Sequence, residues 1–268
     1  DASAVAVTAT SGAAVGNHTI VVRQLADVMR LHSDVTIQDG KPLADQFAAL
    51  QSSGTIKFTI TKVGPDGSTE TSEQISIDPL TDSVRDLASK INAVGAALGI
   101  RASYEPDLGR LFITGAETGE DVKFRFDDLA GGSLDDLFQA LGLKDRDGSQ
   151  VTASSQGNEV YYTGLNAIFD YDGVEQITRT TNQFTAGGVT YTLLEADPAK
   201  EIKVAVSQDV DAVVQRIKAF VGKYNEVIEH LNSKLAEPRY LDYPPLTAEQ
   251  RKELKDDEIK LWEERAKS

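Results

Sequence analysis

The sequence contains no cysteine, one tryptophan and one methionine. Without cysteine the chain has no disulfide framework, no thiolate ligand for zinc and no thiol nucleophile. The three histidines, His18, His32 and His230, are scattered, and none lies at the i, i+4 spacing of a helical metal pair. The motifs GxSxG, HExxH, GxxxxGK and GxGxxG are absent as well. The sequence therefore predicts no catalytic residue, no cofactor and no metal.

Positive charge is also scarce, because 27 Lys and Arg face 42 Asp and Glu, a net charge of −15. Nucleic acids and anionic membrane surfaces bind basic patches, so both are unexpected partners. No apolar run approaches the roughly 20 residues of a membrane span, and the first residues lack the basic and apolar regions of a signal peptide. We expect no nucleic-acid partner and no membrane insertion.

Two acidic turns, DRDG at 145–148 and DYDG at 170–173, have some likeness to calcium loops. An EF-hand loop needs glycine at its sixth position and glutamate at its twelfth, whereas glycine is fourth here and no such glutamate follows. Asp-Gly pairs are common in tight turns, and we interpret both segments as turns.

The first two-thirds of the chain is rich in strand patterns. The stretches 4–10 and 18–26 are β-branched, and residues 55–62 alternate between apolar and polar side chains. A turn at 65–67 predicts that 71–77 returns as the hairpin partner of 55–62.

A helical stripe follows at 81–98, with Thr81 or Asp82 as the expected start and Gly99 as the end. Three further strands are predicted, and then a short helix at 133–143. The polar, glycine- and serine-rich stretch 145–158 is the best internal boundary. Strand patterns then resume, including a hairpin with Asp172-Gly173 at its turn.

From Asp209 the pattern is helical, and its apolar residues recur in steps of four and three, the seven-residue repeat of a coiled coil or bundle. A second line of apolar residues widens this face beyond a two-stranded seam. A last helix is predicted at 247–267, with Trp262 packed on the preceding helix. The predicted packing and assembly residues are Val210, Val214, Ile217, Phe220, Val221, Tyr224, Ile228, Leu231, Leu235 and Trp262.

Several of these stretches resemble flagellar protein families. LASKINAVGAALGIRASYEPDLGRLFITGAETG (87–119) resembles the flagellin hook IN motif. NAIFDYDGVEQITRTTNQFTAGGVTYTLLEA (166–196), with Arg179, Asn182 and Phe184, resembles the filament-capping family FliD, also called flagellar hook-associated protein 2. The helix with Phe220, Tyr224 and Asn225 and the stretch 246–268 are similar to the same family. The resemblance runs almost from end to end, and it implies a central fragment that lacks both termini.

The resemblance implies a capping protein that leaves the cell through the flagellar export apparatus and works extracellularly at the flagellum tip. Its expected partners are copies of itself in a ring-shaped homo-oligomer, flagellin subunits and, in addition, an export chaperone and host mucin. A hook–filament junction protein, which shares the IN motif, is the alternative within this class. An adhesin-like head that binds mucin or other glycans is the second alternative, for which the clustered tyrosines are Tyr161, Tyr162, Tyr240 and Tyr243.

Together, pattern and resemblance predict a multidomain α+β protein. One β-rich head domain is formed by 1–37 and 155–207, and a second, 38–154, is inserted in it and carries the IN motif. Residues 208–268 are the incomplete helical leg, a bundle or coiled coil.

Overall fold

The computed structural model describes residues 3–236 and 242–266. The chain divides into two compact units, Asp1–Val206 and Ser207–Ser268. The strands, in chain order, are β1 Val5–Ala9, β2 Gly16–Gln24, β3 Val28–Ser33, β4 Ile56–Val63, β5 Thr69–Thr71, β6 Ile75–Ile77, β7 Ile100–Glu105, β8 Arg110–Thr118, β9 Lys123–Asp128, β10 Leu143–Lys144, β11 Tyr162–Thr163, β12 Ala167–Tyr171, β13 Val174–Arg179, β14 Gln183–Ala186, β15 Val189–Leu193 and β16 Ile202–Val206.

The helices are fewer and separate the strand groups. They are α1 Leu43–Gln46, α2 Val84–Gly95, α3 Ser133–Ala140, α4 Val210–Leu235, α5 Gln250–Glu253 and α6 Asp256–Ala266. The fold is therefore mixed, with several sheets in the first unit and helices in the second.

Two sheets and their helices enclose the larger of two apolar clusters, which we call the large core. One sheet has the order β10-β3-β8-β7, and the other has the order β11-β9-β4-β5, with β6 also paired to β4. Alternating apolar residues of β4 and β9 point inward, among them Phe58 and Phe126, and α2 and α3 add their apolar stripes. The core extends from Met29 to Tyr162 without a residue from either end of the chain.

The second cluster, which we call the small core, lies between two other sheets. Their orders are β1-β15-β14 and β13-β12-β2-β16. Its residues come from Ala4–Ala26 and from Ala167–Ile202, two segments on either side of the large core in sequence. Phe184 stacks on Phe169 at a centroid distance of 4.2 Å and on Tyr191 at 4.9 Å.

In sequence, the two segments of the small core lie on either side of the segment that forms the large core. The predicted domain boundaries at 37/38 and 154/155 both fall inside the large-core segment. β3 and β11 pair with large-core strands, so the cores change near Asp27 and near Gly164. The first predicted boundary is too late in the chain because Met29 and Leu31 already belong to the large core. The sequence pattern showed no domain boundary before residue 38. The division into separate domains stays a prediction.

The stretch 145–158 is not a linker. Val151 is fully buried in the large core, its N–H donates to Leu143 O, and Ser154 N–H donates to Phe126 O at 2.7 Å. The polar composition is misleading because the turn residues around Gly148 and Gly157 face solvent while the few apolar ones pack inward.

Most local predictions in the first unit match the observed elements. β4 pairs with both β5 and β6, so the predicted hairpin partner is present but interrupted. Helix α2 begins after Ser83, which forms a capping box with Asp86, so the predicted starts at Thr81 and Asp82 are wrong by one or two positions. Gly99 adopts the left-handed conformation that ends this helical segment, as predicted.

In the second unit, the described residues 207–236 and 242–266 form one long helix and two short ones. α4 spans 26 residues, in agreement with the predicted 209–235. The last helix predicted at 247–267 is wrong as a single element, because Leu254 adopts an extended conformation between α5 and α6. α6 restarts with three acidic residues in its first turn, where the helix dipole favours negative charge.

Candidate assembly surface

Helix α4 carries the predicted packing residues on one continuous face. Its first turn is closed by Asp209, whose carboxylate accepts a hydrogen bond from Ala212 N–H at 2.9 Å. The last turn carries Lys234, where positive charge favours a helix end. At 1.5 Å per residue the 26 residues extend about 39 Å. The face is thus long enough to hold another helix over its whole length.

The apolar residues of this face are exposed. Phe220 is 71% exposed and Leu235 is 75% exposed, and α4 contains no buried residue. The exposed members are Val210, Val213, Val214, Ile217, Phe220, Val221, Tyr224, Val227, Ile228, Leu231 and Leu235. An exposed apolar stripe of this length is typical of an interaction surface. That these residues pack in an assembly stays a prediction.

The opposite face of α4 is polar. Lys223 and Glu226 form an ion pair at 2.6 Å across one turn, and both side chains are largely exposed. Such a pair adds only a few tenths of a kcal/mol to the helix. This ion pair therefore contributes little to the stability of α4.

Trp262 makes contacts within its own segment. Its Nε1 donates to Pro244 O at 2.8 Å, and Tyr243 meets its ring edge-on with centroids 4.7 Å apart. Arg265 donates to the Tyr243 hydroxyl at 2.7 Å and lies over its ring. The large apolar side chains of the α4 face are exposed. The packing of Trp262 on α4 stays a prediction.

The IN motif has a geometric basis. Ile91 is buried in the large core, whereas the side chain of Asn92 reaches the neighbouring strand β7. Asn92 Nδ2 donates to Ala102 O at 2.7 Å, and Ala102 N–H donates to Asn92 Oδ1 at 2.8 Å. β7 is an edge strand, so this amide substitutes for a neighbouring strand at one position. The sequence pattern located these residues but gave no role for them.

Asn182, in the stretch that resembles the capping family, makes the same kind of contact. Ala26 N–H donates to Asn182 Oδ1 at 2.6 Å, and Asn182 Nδ2 donates to Ala26 O at 2.9 Å. Phe184, two residues on, fills the small core. Asp172 and Gly173 both have positive φ, as the predicted hairpin turn requires.

His18 belongs to a polar cluster in the same region. Its Nδ1 lies 2.7 Å from Asp172 Oδ2 and 3.0 Å from the Tyr171 hydroxyl. The hydrogen bond with His18 lowers the pKa of Asp172, and burial raises the pKa of Tyr171 far above its ordinary value. Nε2 of His18 is buried, so a substrate does not reach it. The cluster ties the turn to β2, because Asp172 also accepts a hydrogen bond from Thr19 N–H at 2.8 Å.

Within residues 3–236 and 242–266, no group of three or more histidine and acidic residues is arranged to hold a metal ion. The described helices also include none that is both long and apolar enough to cross a bilayer.

Comparisons with known proteins place these features in one class. The family model for the C-terminus of flagellar hook-associated protein 2 matches residues 164–268, and that for the flagellin hook IN motif matches 57–117. Flagellar hook-associated protein 2 of Halalkalibacterium halodurans is 32% identical over 94% of this chain and 48% of its own length. The protein of the same name from Thermotoga maritima is 30% identical over 63% of this chain and 25% of its own length.

Solved structures show the same fold at lower identity. The D1-D2-D3 domains of the flagellar cap protein FliD from Escherichia coli match with a TM-score of 0.55 and 24% identity, over 86% of this chain and 71% of that one. FliD from Pseudomonas aeruginosa matches with a TM-score of 0.56 and 18% identity, over 88% of this chain and 98% of that one.

This chain is therefore similar, over nearly its whole length, to flagellar hook-associated protein 2 (FliD). It spans about half the length of the Halalkalibacterium relative.

Proposed function

We propose that the complete protein caps the distal end of the bacterial flagellar filament. It assembles there as a ring-shaped homo-oligomer and promotes the folding and polymerisation of flagellin. The observation that carries this proposal is the apolar face of α4, which is continuous and exposed in a chain similar to flagellar hook-associated protein 2.

The composition of this face indicates what covers it. Positions 210, 214, 217, 221, 224, 228, 231 and 235 form a heptad seam, and Val213, Phe220 and Val227 form a second line beside it. A two-stranded coiled coil buries only the first line. The second line therefore supports a bundle in which α4 meets two further helices, the leg of the cap. α6 is short and its Trp262 already packs on Tyr243.

The place and the partners follow from the same proposal. The protein is exported through the flagellar apparatus, works outside the cell at the filament tip, and contacts flagellin and copies of itself. An export chaperone and host mucin remain further proposed partners. Its role is structural, with no chemical step, and the polar clusters around His18 serve turns and strand ends.

Of the tyrosines considered for a glycan-binding head, the three in the described part of the chain are not all exposed. Tyr162 is buried in the large core and Tyr161 is 38% exposed. Tyr243 packs on Trp262, and Tyr240 lies outside the described residues. The cap is therefore the function that the geometry favours over an adhesin.

The proposal is tested by placing one charge on either side of α4 in the full-length protein. Phe220→Glu puts a carboxylate on the apolar face, whereas Ala219→Glu puts the same group on the polar face one residue away. We expect Phe220→Glu to lose the ring in native mass spectrometry and to lose motility in a cap-deletion strain. Ala219→Glu should retain both.

Two results would contradict the proposal. Rings and motility retained in both variants would show that the apolar face is not an assembly surface. Immunogold labelling at the hook–filament junction, with none at the filament tip, would favour the junction protein.

A further inference from the structure

The chain passes between the two cores of the first unit at two connections, and these connections lie next to each other. Asp27 lies on the passage from β2 to β3, and Leu165 lies on the passage from β11 to β12. Asp27 N–H donates to Leu165 O and Leu165 N–H donates to Asp27 O, both at 2.9 Å. The two passages are thus paired backbone to backbone, although 138 residues of sequence separate them (165 − 27).

The crossing is packed so closely that side chains do not fit. A Cβ on Gly164 would lie 2.3 Å from Asp27 O, and a Cβ on Gly119 would lie 2.7 Å from the Cβ of Thr180. Gly119 also has a φ of +95°, which L side chains rarely adopt. Glycine at these two positions allows backbones from both cores to touch.

Side chains from both sides of the crossing tie it together. Thr118, at the end of β8 in the large-core sheet, donates from its hydroxyl to Thr180 O at 2.6 Å. Glu120 N–H donates to Asn166 Oδ1 at 3.0 Å. Asn182 then holds both backbone groups of Ala26, the residue just before the crossing.

An ion cluster adds to the crossing from the large-core side. The carboxylate of Asp27 lies 3.0 Å from Arg30 Nη2 and 2.9 Å from Arg146 Nη1, and Arg146 also donates to Val28 O. Burial raises the pKa of Asp27, but the hydrogen bonds from Arg30, from Val28 N–H and from Arg146 together outweigh it and hold the pKa below its ordinary value.

We infer that these contacts form a rigid clasp, so that the two cores turn as one body. Two covalent connections alone allow hinge motion, because a few loop residues absorb the change in φ and ψ. Here the connecting residues are paired with each other and held by Asn182, Thr118 and the Asp27 ion cluster. The clasp consists of Ala26–Val28, Thr118–Glu120, Gly164–Asn166 and Thr180–Asn182, and it does not depend on the capping role.

The first experiment measures the distance between the cores. Because the chain has no cysteine, Ser52→Cys and Glu175→Cys place one spin label on an exposed position of each core. We expect one narrow distance distribution by pulsed electron spin resonance. Asn182→Ala should broaden it. Asn92→Ala removes an identical pair of hydrogen bonds inside the large core, so it should lower stability and leave the distribution narrow.

A broad distribution in the parent chain, or a narrow one in folded Asn182→Ala, would overturn the clasp. If Asn182→Ala fails to fold, hydrogen exchange of the unsubstituted chain decides the matter. In that case we expect the amides of Asp27 and Leu165 to exchange within about tenfold of the β12 amides. Exchange as fast as at the exposed turn residue Gly67 would mean that the clasp opens freely.

Discussion

Asn92 holds Ala102 through both backbone groups of that residue, with two hydrogen bonds of 2.7 and 2.8 Å. The contact links α2 to the free edge of β7 and explains why asparagine follows isoleucine in this motif. An unpaired strand edge readily pairs with another chain. Asn92 therefore stabilises the large core and also covers part of an edge.

Replacing Asn92 by alanine should destabilise the large core. It leaves the N–H and C=O of Ala102 without their partners, which costs about 1–3 kcal/mol in the free energy of unfolding. Denaturant unfolding followed by circular dichroism measures this cost. Asn92→Asp, which keeps the acceptor and loses the donor, should fall between the parent and Asn92→Ala. Equal stability of all three would show that the two bonds contribute nothing.

Phe184 should contribute strongly to the small core. Its ring is stacked between those of Phe169 and Tyr191 and meets Tyr171 edge-on. We expect Phe184→Ala to lower the free energy of unfolding by roughly 2–4 kcal/mol, because the cavity cannot close around three fixed rings. Phe184→Leu should recover part of the loss. A loss of less than about 0.5 kcal/mol for alanine, the range of ordinary surface changes, would contradict the packing.

Stability below pH 4 should depend on Asp170. Two hydrogen bonds from Arg23, together with the ion pair, hold the pKa of this carboxyl below its ordinary value of 3.8. A depressed pKa gives a stabilisation that is complete above the unfolded-state pKa and is lost as the pH falls through the folded-state pKa.

Asp170→Asn removes this titration. We expect the variant to have a lower melting temperature at pH 7 and a shallower fall of the melting temperature below 3.8. Asp107→Asn, at an exposed turn position, is the matched control and should follow the parent curve. Parallel curves for Asp170→Asn and the parent would refute the assignment.

The fluorescence of Trp262 distinguishes packing within its own segment from the predicted packing on α4. It is the only tryptophan, and its contacts are with Tyr243 and Pro244. Tyr243→Ala should shift the emission to longer wavelength because it exposes one side of the indole. In the single, unassembled chain, Phe220→Ala should leave both the emission and the melting temperature unchanged, since that ring is exposed there. A shift caused by Phe220→Ala would instead support packing of Trp262 on α4.

Local patterns predicted the elements that depend on neighbours in sequence. The stripe of α2, the alternation of β4, the Asp172–Gly173 turn and the bounds of α4 follow from spacing and turn chemistry. Strand partners that lie far apart in sequence were not predictable in this way. β1 pairs with β15 from the far end of the unit, and no sequence spacing encodes that register.

The contacts of Asn182 and Asn92 were also not predictable from the sequence. Both side chains bind backbone groups, which every residue has, so the sequence of the partner segment does not reveal the contact. Val151 was missed for a different reason. It is a buried residue in a polar stretch, and its burial fixes that stretch to the large core although the composition resembles a linker. The break at Leu254 had a signal in the acidic run 256–258, which marks the start of a new helix. For the candidate assembly surface, the apolar face of α4 was predictable from its periodicity. The helices that pack on it were not, because the sequence of one chain does not identify its partners.

The pairing of Asp27 with Leu165 also bears on how such chains diversify. A segment that begins and ends at hydrogen-bonded neighbours is replaceable as a cassette, because both cut points stay together whatever lies between them. We therefore expect that a turn in place of residues 28–164 leaves the small core its two sheets, and that a different insert changes the exposed surface of this unit without changing the strands of the small core.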